Sequence, residues 1–248
     1  MIIVDKLIGQ AVTFFEQGDP DSAWTLCLEA AELDPENDNV WYLKGAIASA
    51  QGRMADAARA YQKSAELASD STRNIEAYAS VLSDLDQFER ASRQYDRLLN
   101  LFPERADWWA ILSGLELRSG DYGVAEAAAR KSIALDDTIP EPLINLALVY
   151  QEKADLDAAS AFCRQAIECD GGFPEAHFTL GVINLTRGWH EEAIACFERV
   201  LEILPEDPNA LINIGNVYRE RMEISAAGAY YQRAAERSPD LAAAPSNL

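Results

Sequence analysis

Histidines and paired carboxylates are the side chains in this sequence that could act as bases, acids or metal ligands. The two histidines are His177 and His190. Adjacent acids occur at 136–137 and 191–192, but a carboxylate pair becomes a hydrolase site only in a pocket that raises one of its two pKa values. Both pairs lie near predicted helix starts or connections, where carboxylates cap or solvate helices. The sequence therefore predicts a protein that is not an enzyme and has no catalytic residue.

Cysteines and glycines give no sign of a bound metal or cofactor. The four cysteines, Cys27, Cys163, Cys169 and Cys196, do not form the C-x2-C or Cys/His spacing of a zinc site. The glycine pair at 171–172 lacks the preceding strand and the third glycine of a dinucleotide site. We therefore expect neither a metal nor a cofactor.

Cysteine usage and the amino end predict where the protein resides. Cys27 and Cys163 fall at predicted core positions, and unbridged core thiols fit a reducing compartment. The residues before Val4 are too few for a signal peptide, and no apolar run is long enough to span a membrane. These features favour a cytoplasmic protein without an integral membrane segment.

The charge of the chain excludes some partners and favours others. The 248 residues carry 41 acidic and 21 basic side chains, a net charge of −20. Such a field repels nucleic acid and anionic lipid headgroups and attracts a basic partner. The alternative is a solvated acidic surface that only keeps the protein soluble.

The elements that would position these side chains recur with a period of 34 residues. One column of the period holds alanine in seven segments: Ala23, Ala57, Ala91, Ala125, Ala159, Ala193 and Ala227. A turn column holds Gly18, Gly52, Gly120 and Gly188, with Asp86, Ala154 and Met222 in the other segments. The segments are predicted at 4–37, 38–71, 72–105, 106–139, 140–173, 174–207 and 208–241, and 242–248 is a short tail without a full capping helix.

Small residues are needed where two antiparallel helices cross closely. The first helix of each segment supplies them in a column of Ala11, Gly45, Ala79, Ser113, Ala147, Gly181 and Gly215. Large side chains such as Trp41 and Phe197 are predicted to fill the core around the crossing, so Trp41→Ala should cost about 3–5 kcal/mol. Of the pair Trp108 and Trp109 only one fits the core slot, which leaves Trp108 either exposed or packed on the third segment.

The two histidines receive different predictions from their positions in the period. His177 shares the column of Trp41 and Leu143, which favours a buried core imidazole over a ligand or a base. His190 follows the turn at Gly188 and is predicted to be solvated.

The pattern resembles the tetratricopeptide repeat family. Its 34-residue helix–turn–helix unit carries W-x2-L-G-x2-Y in the first helix and a small residue early in the second. Over Val4 to Leu241, that motif is carried by Leu146-Ala147 with Tyr150, by Leu180-Gly181, and by Ile214-Gly215 with Tyr218, whereas Ala48, Glu116 and Lys44 depart from it. The resemblance implies an all-α fold, a right-handed superhelical solenoid of seven repeats whose first helices line a concave groove.

Side chains on the groove columns of the first helices decide what this groove would hold. The residues predicted to bind a peptide are Tyr42, Leu43, Ile111, Asn145, Leu148, Phe178, Thr179, Val182, Asn213, Asn216 and Arg219. Most of the groove is apolar, which favours an apolar or amphipathic peptide or helix of a partner protein. Packing between adjacent repeats is the alternative for each apolar residue.

Two modes of peptide recognition in the family can be compared with these columns. The basic clamp of chaperone-binding members needs lysine where Ile8 stands and asparagine where Val12 stands, so we reject a clamp in the amino half. The asparagine ladder of arrays like that of O-GlcNAc transferase is matched by Asn145 and Asn213. A ladder would therefore be partial and limited to the last three repeats. The leading hypothesis is a protein–protein interaction adaptor or scaffold.

The carboxyl end predicts a second hypothesis, self-association. Tetratricopeptide arrays normally end with a polar helix, but the chain after Leu241 is too short for one and contains Pro245. Ile214, Tyr218 and Tyr230 are predicted on the surface left open, where they are tolerated, pair two chains into a homo-oligomer, or dock on a partner. A further alternative is the targeting array of a transferase, or of a secretion or assembly machinery, whose active part is on another chain.

Overall fold

A computed structural model describes residues 2–237 of the chain. Within this range there are fourteen α-helices and no strand, which confirms the predicted all-α fold. The chain forms two compact units, residues 1–121 (unit 1) and residues 122–248 (unit 2), which divide within the predicted fourth repeat. The predicted tail, 242–248, lies outside the described residues.

The helices of each unit alternate with short turns. Unit 1 contains α1 (Ile2–Glu16), α2 (Pro20–Leu33), α3 (Asp38–Ala50), α4 (Met54–Leu67), α5 (Thr72–Asp84), α6 (Phe88–Leu101) and α7 (Ala106–Ser119). Unit 2 contains α8 (Tyr122–Leu135), α9 (Glu141–Glu152), α10 (Leu156–Cys169), α11 (Pro174–Thr186), α12 (His190–Ile203), α13 (Pro208–Glu220) and α14 (Ile224–Arg237).

The predicted turn column ends the first helix of each repeat in a left-handed backbone conformation. Gly188 has φ +75°. Its N–H donates to Leu185 O at 2.9 Å, and the next N–H, of Trp189, donates to Asn184 O at 2.9 Å. These bonds satisfy the last carbonyls of α11. Positive φ values also occur at the non-glycine members of the column, Asp86, Ala154 and Met222, so the turn follows from the position in the repeat.

The small column allows the two helices of a repeat to cross closely, as predicted. A Cβ atom on Gly181 would come within 2.7 Å of the Phe197 ring. A Cβ atom on Gly45 would meet the Tyr61 ring at the same distance. Ala193, on the facing helix, is fully buried. The same packing therefore forms the interior of both units.

Trp41 is less buried than predicted, and Trp108 takes one of its two predicted positions. Trp41 is only half-buried, and its Nε1 donates to Pro35 O at 2.8 Å, so the full core-truncation cost does not apply to it. Trp108 is 1% exposed and its Nε1 donates to Glu76 Oε1 on α5 at 2.5 Å. It therefore packs on the third repeat, which was one of the two predicted alternatives.

The histidines lie in different environments. His177 is buried and its Nε2 is 3.1 Å from Gly171 O, which confirms the predicted core imidazole. His190 is the first residue of α12 and is half-buried, with Nε2 3.5 Å from Glu220 Oε2. The prediction of a solvated turn residue is wrong for His190, because the adjacent repeat supplies a carboxylate that partly covers it.

Candidate functional site

Unit 2 contains a cleft of about 310 Å³ that is lined mainly by α9 and α11, the first helices of the fifth and sixth repeats. Ile144 and Leu148 come from α9, and Phe178 and Thr179 come from α11. The remaining lining residues are Pro174, Glu175, Val200, Leu204, Asp207 and Asn209. Three of the eleven predicted peptide-binding residues, Leu148, Phe178 and Thr179, are therefore brought together in one concave site.

The repeat pattern explains why these side chains meet. Ile144 and Phe178 occupy the same position of consecutive repeats, so stacked first helices place them side by side. The Phe178 ring packs edge-on against the Phe197 ring, with centroids 5.5 Å apart and an interplanar angle of 61°. Phe197 reaches this position because Gly181 leaves room for its ring. The floor of the cleft is thus held by the same crossing that forms the core.

The rim of the cleft is acidic. Glu175 is exposed in the first turn of α11. Asp207 is half-buried, and its Oδ1 accepts from the Ala210 N–H at 2.8 Å, which caps α13. Asn209 adds an exposed amide, and the ten lining residues include no basic side chain. The cleft therefore offers an apolar floor with a negative edge.

Sequence reasoning missed the rim residues Glu175, Asp207 and Asn209. Glu175 lies three residues before Phe178, and Asn209 lies three residues before Ile212. Residues spaced by three share a helix face. Extending each groove column by one turn toward the amino end would have found these two, whereas Asp207 precedes its helix and carries no such signal.

Asn213 and Asn216 have hydrogen-bond partners within their own repeat, and Val182 packs on a core shared with the next repeat. Asn213 Nδ2 donates to Asn209 O at 2.9 Å. Asn216 Oδ1 accepts from the Tyr231 hydroxyl at 2.8 Å. Val182 packs partly buried against the core that contains Ile214. Arg219 is exposed, and Asn145 is half-buried on α9.

The predicted residues of unit 1 do not share one environment. The structure places Leu43 in the core, 8% exposed, beside Cys27 and Ile47. Tyr42 is half-buried, with the Arg73 guanidinium carbon 4.2 Å from its ring centroid. Ile111 is 42% exposed. Leu43 is therefore a correction to the groove prediction, because its position in the period allows packing between repeats.

The three residues predicted to mediate self-association lie in different environments. Ile214 is fully buried between α13 and its neighbours, so it does not belong to an open surface. Tyr218 and Tyr230 are half-buried and stack with ring centroids 5.6 Å apart and an interplanar angle of 14°. Burial raises the pKa of Tyr230. The chain beyond Leu241, on which the prediction of an open end rested, lies outside the described residues.

The cysteines contribute to packing. Cys27 and Cys163 are free and buried, and burial raises the pKa of Cys27 to about 11 and that of Cys163 to about 12. Both thiols therefore stay protonated at neutral pH and are poor nucleophiles.

Within residues 2–237, no group of three or more His, Cys, Asp or Glu side chains could hold a metal ion. In the same range, no helix is long and apolar enough to cross a membrane.

Comparisons with known proteins agree with the helical repeat fold. Family models described as tetratricopeptide repeat match residues 8–72 and 78–138, 140–171, and 174–207. A solved tetratricopeptide repeat protein from Parabacteroides merdae ATCC 43184 is 19% identical with a TM-score of 0.81, over 96% of this chain and 94% of that chain. A search of curated proteins gives no match.

Two further solved structures are similar in fold. The APC/C hetero-tetramer Cut9–Hcn1 matches at 18% identity with a TM-score of 0.70, over 94% of this chain and 46% of that chain. YrrB, a TPR protein with an unusual peptide-binding site, matches at 23% identity with a TM-score of 0.52, over 77% of this chain and 100% of that chain.

Proposed function

Because this chain belongs to the tetratricopeptide repeat family, we propose that it is a non-enzymatic adaptor that binds a segment of a partner protein in the cleft of unit 2. The family fold supports a protein–protein interaction scaffold in general. The observation that carries the finer proposal is the apolar floor formed by Ile144, Leu148 and Phe178 beneath the acidic rim. We place this adaptor in the cytoplasm.

The chemistry of the cleft specifies the bound segment. A volume of about 310 Å³ holds one or two large apolar side chains, because pockets for small ligands begin at roughly this size. Glu175 and Asp207 at the rim favour a neighbouring lysine or arginine by charge complementarity. The preferred segment therefore places leucine, isoleucine, methionine or phenylalanine next to a basic residue.

The similarity to YrrB supports peptide docking as a use of this fold. That protein is described as having an unusual peptide-binding site. The similarity concerns the fold, so the residues that would bind a peptide here are argued only from the cleft.

A peptide library selected on the purified protein tests the proposal. We expect enriched peptides to carry an apolar residue beside a basic one. The double variant Leu148→Glu with Phe178→Glu should lose those peptides while its circular dichroism stays helical, because two carboxylates would be buried against a bound apolar side chain. Ile111→Glu, on an exposed position of unit 1, is the matched control and should bind like the original protein.

Retained binding by the folded double variant would contradict the cleft as the site. Enrichment of acidic peptides would contradict the role of the rim.

A further inference from the structure

Met222 occupies a backbone position that favours glycine. It has φ +63°, in the turn between α13 and α14. The same column holds Gly18, Gly52, Gly120 and Gly188, each with φ between +71° and +85°. A side chain in this conformation costs free energy because its Cβ approaches the backbone. The Met222 side chain recovers little of this cost by packing within the chain, since the residue is 81% exposed.

Two other large apolar side chains are exposed at the same edge of unit 2. Ile224 is 58% exposed at the start of α14, and Trp189 is 45% exposed at the start of α12. The turn of the sixth repeat is joined to the turn of the seventh by two contacts. Arg221 Nη1 lies 3.1 Å from Glu191 Oε1, and His190 Nε2 lies 3.5 Å from Glu220 Oε2. We call Trp189, Met222 and Ile224 the turn edge.

The Trp189 ring is held in place before any partner arrives. The Arg187 guanidinium carbon is 4.6 Å from the ring centroid. Arg187 is itself fixed by Asp157, with Nη2 2.5 Å from Oδ1. One face of the indole is therefore covered by a cation, which leaves the rest of the ring as a preorganised contact surface.

Acidic side chains surround the turn edge. The side chains of Asp157, Glu191 and Glu220 are 99%, 75% and 51% exposed. Asp157 pairs with Arg187, and Glu191 and Glu223 share Arg221, so together with Glu220 the four carboxylates outnumber the two arginines. The side chains around the apolar turn edge therefore carry a net negative charge.

We propose that the turn edge is a second docking surface, which takes a basic amphipathic helix of a partner protein. An apolar row on that helix would contact Trp189, Met222 and Ile224, and its flanking lysine or arginine side chains would face the exposed carboxylates. The same charges repel a second copy of this chain and an anionic membrane. This surface is distinct from the cleft, because Trp189 follows the carboxyl end of α11 at Thr186, which lies eight positions, or roughly 12 Å along the helix axis, from Phe178.

Binding of a designed peptide tests the proposal. The probe is a fluorescein-labelled helical peptide of leucine and lysine, and its control replaces each lysine with glutamate. We expect the lysine peptide to bind and the glutamate peptide not to bind. Trp189→Ala should weaken binding roughly tenfold, the usual effect of removing an aromatic anchor.

Met222→Gly separates docking from folding. Glycine relieves the strained backbone, so Tm should rise by about 2 °C, while peptide binding weakens severalfold because an exposed contact is lost. Ala154→Gly is the matched control, since Ala154 stands in the same turn column with φ +59°. It should also raise Tm, but it should leave peptide binding unchanged.

Several results would overturn this proposal. They are no binding of the lysine peptide to the original protein, equal binding of the glutamate peptide, or unchanged binding by Met222→Gly. Loss of lysine-peptide binding in Phe178→Glu, with Trp189→Ala unaffected, would assign the peptide to the cleft instead. A light-scattering mass above one chain that Met222→Gly reduces would assign the turn edge to a second copy.

Discussion

The column that carries Leu148, Val182 and Asn216 in unit 2 holds Val12, Ala46, Ser80 and Gly114 in unit 1. These positions are equivalent in the repeat, so within each unit they lie on the same face of the first helices. Leu148 lines the cleft of unit 2, whereas three of the four equivalent residues in unit 1 are alanine, serine or glycine. The backbone of the repeat therefore determines which positions face a groove, and the sizes of the side chains at those positions determine whether a cleft forms.

The two units also differ in the contacts that their charged side chains make. The Arg73 guanidinium lies over Tyr42 and donates from Nη2 to Asn39 Oδ1 at 2.7 Å. Arg105 pairs with Asp107, with Nη2 2.6 Å from Oδ2, and its guanidinium carbon lies 4.1 Å from the centroid of the Trp108 ring. These arginines join adjacent repeats, so unit 1 uses its cations for internal contacts. Unit 2 also joins adjacent repeats by ion pairs, such as Arg221 with Glu191, but in addition it places carboxylates at the rim of an apolar cleft.

The largest expected effect follows removal of Trp108 from unit 1. The equivalent positions in unit 2 hold Pro142, Ala176 and Ala210, so no side chain of that size is needed there. Trp108→Ala should destabilise the protein by about 3–5 kcal/mol, because a fully buried ring and its bond to Glu76 are lost. Urea denaturation followed by circular dichroism measures the change.

Trp41→Ala is the control for Trp108→Ala. Its ring is half-buried, so the loss should be clearly smaller. Equal losses for the two tryptophans would contradict the distinction between a core ring and a ring on the repeat edge.

The next effect should be the same in both units. Gly45→Ala places a methyl group 2.7 Å from the Tyr61 ring, and Gly181→Ala places one 2.7 Å from the Phe197 ring. Each variant should lose about 1–3 kcal/mol by overpacking, measured by urea denaturation. Gly9→Ala is the control, since its new methyl group meets nothing within 4 Å. A large loss in one unit only would show that the two interiors are not equivalent.

The sequence predicts the shared interior better than the surface that differs. The small column and the turn column follow from the 34-residue period, because helix crossings and left-handed turns restrict residue type directly. Leu43 and Leu148 both lie on groove columns, yet Leu43 is 8% exposed and Leu148 lines the cleft. Burial at a given column depends on the volumes of neighbouring side chains from other repeats, which a single column does not contain.

The 34-residue period also does not predict hydrogen bonds between residues that are far apart in the sequence. Trp108 bonds to Glu76, 32 residues earlier, and Asn216 accepts from Tyr231, 15 residues later. Asn216 was predicted to bind a peptide because it falls on a groove column. Its carbonyl oxygen instead orients a tyrosine of the same repeat. A partner chosen among several possible donors depends on side-chain rotamers, and the sequence pattern does not fix these.

Peptide binding should respond to the cleft of unit 2 and not to its counterpart in unit 1. Phe178→Ala should weaken the binding of a peptide selected on the original protein by roughly tenfold, since the aromatic side chain in the floor of the cleft is removed. Tyr42→Ala is the matched control, because Tyr42 stands at the same position of the second repeat. Fluorescence anisotropy of a labelled peptide measures both. Equal weakening by the two variants would mean that the binding surface is not limited to the cleft.

The smallest expected effect concerns a carboxylate that joins the fourth and fifth repeats in unit 2. Glu126 accepts from Lys153 Nζ at 2.6 Å and from Arg130 Nη2 at 2.8 Å. The bond from Lys153, followed by those from Arg130 and Tyr150, lowers the pKa of Glu126 from 4.5 to about 2. A lowered pKa in the folded state means that the charged form stabilises the fold. This contribution is complete above pH 4.5 and is lost as the pH falls toward 2.

Glu126→Gln should therefore lower Tm at pH 7, by an amount equivalent to roughly 1 kcal/mol for a partly exposed ion pair, and the difference from the original protein should narrow at pH 3. Asp107→Asn in unit 1 is the comparison, because Arg105 also lowers the pKa of Asp107 but the Asp107 side chain is 50% exposed. Water screens that pair more strongly, so its effect should be smaller at both pH values. A Glu126→Gln difference that stays constant between pH 7 and pH 3 would mean that the charge of Glu126 does not stabilise unit 2.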